Sequence, residues 1–232
     1  MKNSKNKAIV IFSGGQDSTT CLYWAKNNFD YVEALFFDYG QIHKIEKKSA
    51  IKIAKLANIK LNILDIPTFT QIGGSSLTDK NLKNPIGEVK KNITPISFVP
   101  GRNLIFLTFG AAYAYTKKIY NLVTGVCETD CSNYPDCRNA TIKSLEKSIF
   151  LGMDFKIKIH TPLIKLTKAQ AVILAKKLGA LDALAYSHTC YNGTFPPCGK
   201  CPACILRANG FEKAGLPDPL LERTKKLKSR SK

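Results

Sequence analysis

Five apolar residues, Ala8 to Phe12, run directly into Ser13-Gly14-Gly15-Gln16-Asp17-Ser18, and a helical pattern begins at about Thr19. No other feature constrains the chain as much. A short continuous apolar run fits a strand covered on both faces, as in a parallel sheet. Gly14 and Gly15 permit a tight turn with positive φ and let a ligand approach the backbone. The helix that follows aims free N–H groups, and the positive end of its dipole, into that turn. Such a turn is an anion site, and phosphate is the usual anion. Ser13 and Ser18 add hydroxyl donors, while Asp17 can orient the loop or face a Mg²⁺ ion on the phosphates. The alternative is a plain turn with Ser or Asp as N-cap.

The rest of the chain alternates in the same way. Strands are expected at Tyr31 to Phe37, in "KLNILDIP" up to Pro67, in "NLVTGV" and in "FKIKIHTPL". Helices are expected from Ile42 to Ala57, over "LIFLTFGAAYAYTKK" as a buried helix, from Arg138 to Leu151, and over "KAQAVILAKKLG", closed by Gly179. Residues 67–97 read as one long irregular stretch, of the kind that often covers an active site. Alternating β and α elements imply a parallel sheet with helices on both faces. Ligands of such sheets sit beyond the carboxyl ends of the strands, near the switch in strand order. Ser13–Ser18, Asp38-Tyr39-Gly40 and Gly125–Asp130 all follow strand ends, so they are expected to meet on one edge.

A second cluster stands near the C-terminus, in "CYNGTFPPCGKCPAC". Cys190, Cys198, Cys201 and Cys204 are spaced C-x7-C-x2-C-x2-C, with glycine and proline suited to tight knuckles. Four thiolates make a closed tetrahedral zinc site of structural type. Four cysteines also suit an iron–sulfur cluster, and spacing alone does not separate the two. Cys127, Cys131 and Cys137 lack a fourth ligand nearby and read as buried or incidental thiols, with a redox-active role as the alternative, and Cys21 as core.

The formal net charge is +18, from 35 Lys+Arg against 17 Asp+Glu. Lysines dominate and are spread along the chain, as on solvated faces, so no stable nucleic-acid partner is expected. Only the tail "RTKKLKSRSK" concentrates charge, and disorder is expected there. No apolar run is long enough for a signal peptide or a membrane span, which points to a cytoplasmic protein.

The loop lacks the Gly-Lys-Ser/Thr ending and the G-x-G-x-x-G pattern of the commoner nucleotide loops. Ser13-Gly14-Gly15-Gln16-Asp17-Ser18 instead resembles the S-G-G-x-D-S signature of PP-loop ATP pyrophosphatases, which split ATP between its α- and β-phosphates. With "FDYGQIH", "FVPGRN", "TGVCETDCSNYPDCR" and "TCYNGTFPPCGKCPACILRANGF", the chain resembles the 7-cyano-7-deazaguanine synthase family of queuosine-precursor biosynthesis from about Lys7 to Gly215. The chain departs from that pattern at Cys131, where many relatives carry another residue.

The resemblance implies an α/β fold of the PP-loop, adenine nucleotide alpha hydrolase-like type: a parallel twisted sheet with helices on both faces and a small C-terminal zinc-binding helical segment. Its expected boundaries are 1–185 for the ATP-binding domain, 186–222 for the zinc-binding subdomain and 223–232 for the basic tail. It implies a carbon–nitrogen ligase using ATP, Mg²⁺, ammonia and 7-carboxy-7-deazaguanine, with structural zinc and a homodimeric assembly.

Phe12, Ser13, Gly14, Gly15, Gln16, Asp17, Ser18, Thr19, Thr20, Cys21 and Leu22 would form the ATP segment, with Asp17 and Ser18 also catalytic. Lys168 would reach the phosphates, with a solvated helix lysine as the alternative. Arg102 would grip a carboxylate or phosphate through its fork, with a surface ion pair as the alternative. Asp130 or Asp136 would take the guanine-like N–H edge, or serve as a loop cap. Tyr39 would stack on a ring or belong to the core. His43, His160 and His188 receive no role. Two rivals remain: a PP-loop enzyme that adenylates a tRNA base, and a zinc-stabilised nucleic-acid-binding module.

Overall fold

The computed structural model describes residues 6–88, 93–129 and 134–230. In chain order the elements are β1 (Lys7–Ile11), α1 (Gln16–Asn28), β2 (Tyr31–Asp38), α2 (Ile45–Ala57), β3 (Lys60–Asp65), α3 (Thr68–Ile72) and α4 (Arg102–Lys117). Then follow β4 (Asn121–Val123), α5 (Asn139–Met153), β5 (Lys158–His160), α6 (Lys168–Lys177), α7 (Leu181–Leu184), α8 (Pro202–Lys213) and α9 (Pro219–Arg230).

The strands form one five-stranded sheet in the order β3-β2-β1-β4-β5, and every neighbouring pair is parallel. Side-chain alternation along β1 explains the two layers of helix. Ala8 and Val10 join a core with residues of α1, α2 and α6, whereas Ile9 points into a second core with residues of α4 and α5. All three are fully buried, as a doubly covered strand requires. The strand order reverses between β1 and β4, so the loops after these two strands diverge and leave a crevice.

Boundaries differ from expectation at informative places. Helix α1 starts at Gln16, not near Thr19, because the polar motif supplies the helix's own first turn. Helix α2 starts at Ile45. Helix α4 is only half covered: Leu107, Ala111 and Ala114 are buried while Phe109 and Tyr115 are exposed. Within residues 67–97, α3 packs Phe69 into the core.

The tail is corrected. Residues expected to be disordered continue α9 as far as Arg230. Two contacts hold its first turns to the fold: Leu220 and Thr224 are buried, and the Arg223 guanidinium lies 4.3 Å from the Tyr186 ring centroid.

The segment after residue 186 is fastened at two levels. Phe211 of α8 shares a cluster with Val172 and Ala175 of α6. Buried Arg207 forms a bidentate ion pair with Asp218, at 2.7 and 2.8 Å, and donates to Ser187 Oγ at 2.8 Å. Burial would make either charge costly alone; this fork satisfies both.

Candidate active site

Gly14 adopts φ +77°, where a side chain is strained, and a Cβ there would lie 2.6 Å from Ala50 N and 2.9 Å from Glu46 O. The loop therefore rests directly on the first turns of α2. Ser18 Oγ accepts from Ser13 N at 3.2 Å and lies 3.0 Å from Ser13 Oγ, which ties the loop's two ends together. The first intrahelical bond of α1 runs from Thr19 N to Gly15 O, so the amides of Gln16, Asp17 and Ser18 stand ahead of the helix's own ladder, where a ligand can take them. The turn after β4 closes on the same spot: a Cβ on Gly125 would lie 3.0 Å from Ser18 N.

A cavity of about 290 Å³ opens over this loop. Phe12, Ser13, Gly15, Gln16, Asp17 and Ser18 line it, and so do Tyr39, Arg102, Lys168 and the stretch from Thr124 to Cys127. The three strand-end segments thus converge. The later part of the motif turns away: Thr19 and Thr20 bond back to Gly15 O and Gln16 O, and Cys21 and Leu22 are fully buried in the core. Those four support the loop from behind.

Lys168 reaches the loop as an ion-pair partner. Its Nζ donates to both oxygens of Asp17, at 2.8 and 2.6 Å. A capping box aims it there: Thr167 Oγ1 accepts from Gln170 N and Gln170 Oε1 accepts from Thr167 N, which places Lys168 on the first turn of α6. Gly210 of α8 backs its stem, since a Cβ there would stand 2.7 Å from Lys168 Cγ. The sequence carries the signal for this box in the spacing Thr167-x-x-Gln170.

Arg102 enters at the start of α4, donating from Nη1 to Tyr39 Oη at 3.2 Å. Burial works against its charge, but Tyr39, Tyr134 and Asp136 more than offset that, and the guanidinium stays protonated. Burial also pushes the buried Tyr39 hydroxyl up to about 12. Asp136 does not line the cavity. It is 4% exposed and accepts from Asn103 N at 3.1 Å, so it caps α4 behind Arg102. This bond gives Asp136 a capping role, akin to the loop cap that was the alternative to a substrate contact, on a helix instead of its own loop. Asp130 lies outside the described residues, as does Cys131.

Two cavity residues had no sequence signal of their own. Glu46 projects from the first turn of α2, and burial pushes its carboxyl up while Arg102 and then His188 pull it down. His188 is 2% exposed, its N–H donates to Gly14 O at 3.0 Å, and Nε2 has no partner among the described residues. Both side-chain amide atoms of buried Gln16 likewise have none. Orphaned polar atoms cost stability, so their position around one cavity marks it as built for a polar ligand.

The four cysteines sit beside this cavity, their sulfurs all within 4.8 Å of one another. Four Zn–S bonds of ~2.3 Å in a tetrahedron place sulfurs about 3.8 Å apart. The Cys198 and Cys204 sulfurs stand 3.9 Å apart, so the cluster fits a metal. Backbone N–H groups of Tyr191, Cys198 and Cys201 donate to the sulfurs, which suits thiolates. Tyr191, between the first ligand and the loop, also lines the cavity.

A parallel sheet with this strand order, and a glycine loop closed by an aspartate–lysine pair, define an α/β nucleotide-using enzyme of the PP-loop type. The model of one family, "Queuosine biosynthesis protein QueC", matches residues 7–215, and the chain belongs to that family. Relatives named 7-cyano-7-deazaguanine synthase include one from Chromobacterium violaceum, 56% identical over 95% of both chains. One from Laribacter hongkongensis is 53% identical over 93% of this chain and 94% of its own. A third, from Staphylococcus haemolyticus, is 48% identical over 90% and 93%. A solved 4-thiouridine synthetase–RNA complex with bound ATP aligns at TM-score 0.50 and 19% identity, covering 95% of this chain and 53% of that one, a likeness of fold. Among the described residues no helix is long and apolar enough to cross a membrane.

Proposed function

We propose that this protein is a 7-cyano-7-deazaguanine synthase that activates a carboxylate, then the resulting amide, by adenylation. The observation that carries the reading is the Asp17–Lys168 pair closing an amide-lined loop on the floor of the cavity. A carboxylate resists ammonia because oxide is a poor leaving group. Attack of the carboxylate of 7-carboxy-7-deazaguanine on the α-phosphate of ATP expels pyrophosphate and gives an acyl adenylate. Ammonia forms the C–N bond as AMP departs, leaving an amide. A second ATP adenylates the amide oxygen, and loss of two N–H protons and AMP leaves the C≡N bond.

The chain's residues supply position and charge. Amides at the start of α1, with Ser13 and Ser18, hold the departing pyrophosphate. Lys168 stabilises its charge, Arg102 orients the substrate carboxylate, and Tyr39 packs beside it. Mg²⁺ would be held chiefly by phosphate oxygens with Asp17 at hand, and neutralises phosphate charge when bound. Zinc, held by Cys190, Cys198, Cys201 and Cys204, serves structure: a closed four-thiolate site leaves no position for substrate. The active form is a homodimer in the cytoplasm that keeps no stable nucleic-acid partner.

The test is incubation with ATP, Mg²⁺, ammonium and 7-carboxy-7-deazaguanine, followed by mass analysis. The amide appears first, the nitrile second, and each turnover releases AMP and pyrophosphate. Formation of ADP, or stimulation of AMP release by tRNA and not by the deazapurine, would overturn the reading. Metal analysis should find one zinc per chain, and Cys201→Ser should weaken metal binding by more than ~100-fold.

A further inference from the structure

Among the described residues two carboxylates line the cavity, Asp17 and Glu46, and one is committed. Asp17 holds Lys168 through both oxygens. The carboxylate of Glu46 makes no hydrogen bond or ion pair among the described residues, although it lies within the influence of Arg102 and His188. Its place is fixed by the packing under the loop, where the Glu46 carbonyl lies within contact distance of a Cβ built on Gly14. Glu46 lines the same cavity as Ser13, Gly15 and Ser18 of the turn that would hold the phosphates.

The reaction has an unmet need at that place. Ammonia is a cation at neutral pH and has no lone pair to attack with until it loses a proton. Most other cavity groups cannot both attract that cation and take its proton. Arg102 is itself a cation, Lys168 is paired, and the Tyr39 hydroxyl is pushed too high to ionise at neutrality. His188 lines the cavity but carries no negative charge to draw a cation in.

We propose that Glu46 is the ammonium site of this enzyme, binding the cation beside the phosphate loop and accepting its proton. One proton passes from ammonium to Glu46 Oε. The freed nitrogen lone pair forms the C–N bond to the acyl adenylate, and the C–O bond to AMP breaks with its electron pair leaving on the phosphate. The nitrogen loses its second proton to water, and Glu46 returns its own to solvent. This inference rests on the synthase reading of the preceding section.

Glu46→Gln separates the half-reactions. Adenylation is read as substrate-dependent exchange of labelled pyrophosphate into ATP, which needs no ammonia. Exchange should stay within ~3-fold of wild type, while amide formation at low ammonium falls ~100-fold, the usual contribution of a positioned base. Hydroxylamine, already neutral at pH 7, should form the hydroxamate at close to the wild-type rate. The proposal is overturned if ammonium and hydroxylamine reactions fall together, if the ammonium reaction is unchanged, or if exchange itself is lost in a folded variant. If Glu46→Gln does not fold, Glu46→Asp carries the test, because retracting the charge by one methylene should raise the KM for ammonium with exchange retained. An unchanged KM there also overturns it. Wild-type protein that shows no exchange with 7-carboxy-7-deazaguanine would refute the synthase reading, a result distinct from any behaviour of Glu46.

Discussion

Glu33 and Glu46 are the same side chain at two ends of one sheet, and their surroundings are opposite. Glu33, near the start of β2, is 4% exposed and accepts hydrogen bonds from Tyr31, from Asn62 at 2.8 Å and from Tyr113 at 3.1 Å. Burial works to raise its carboxyl, but those bonds and Lys60 win, and it is held below the usual range. Glu46, half-buried at the carboxyl-end crevice, has no such bonds among the described residues, and desolvation holds its carboxyl above the usual range. One end of the sheet satisfies its buried charge internally; the other leaves polar groups for something that arrives. The same contrast separates the saturated Arg207–Asp218 pair from the orphaned amide of Gln16.

The strongest test of that contrast removes charge at the crevice. Lys168→Ala should lower pyrophosphate release ~10²–10³-fold, the scale of a lost electrostatic donor, with little change in thermal stability. If the variant unfolds instead, the lysine belongs to the scaffold and the contrast fails. At the other end, Glu33→Gln should cost about 1–3 kcal/mol in a denaturant titration, because three donors lose a charged acceptor, with kcat unchanged.

Asp136→Ala sharpens the boundary between the two kinds of group. Loss of the cap on α4 should cost ~1 kcal/mol, whereas a substrate contact would raise the KM for the deazapurine instead. The smallest effect is a difference in pH dependence. Glu33 has a lowered carboxyl, so its stabilisation is present above its ordinary value and is lost as pH falls through the lowered one. Glu46 has a raised carboxyl, so its contribution is present below the ordinary value and is lost as pH rises through the raised one. Glu46→Gln should therefore raise the melting temperature slightly at pH 7 and remove part of the difference between pH 4 and pH 7. A lower melting temperature at pH 7 would mean Glu46 is satisfied by a partner.

By itself the sequence determined what depends on short spacing. An apolar run followed by a serine and two glycines needs no distant partner to become a strand and a tight turn, and four cysteines within fifteen positions are placed by their own knuckles. Tertiary structure decided every pairing across the chain. Lys168 and Asp17 meet across 151 positions, and His188 N bonds Gly14 O, because α6 and the cysteine-cluster segment pack on α1 and its loop. Whether Asp136 faced a ligand or a helix end, and whether Glu46 was solvated or enclosed, turned on where α4 and α2 begin relative to the crevice. Periodicity and turn chemistry act over a few residues, while the reversal of strand order between β1 and β4 arises only when all five strands are laid side by side.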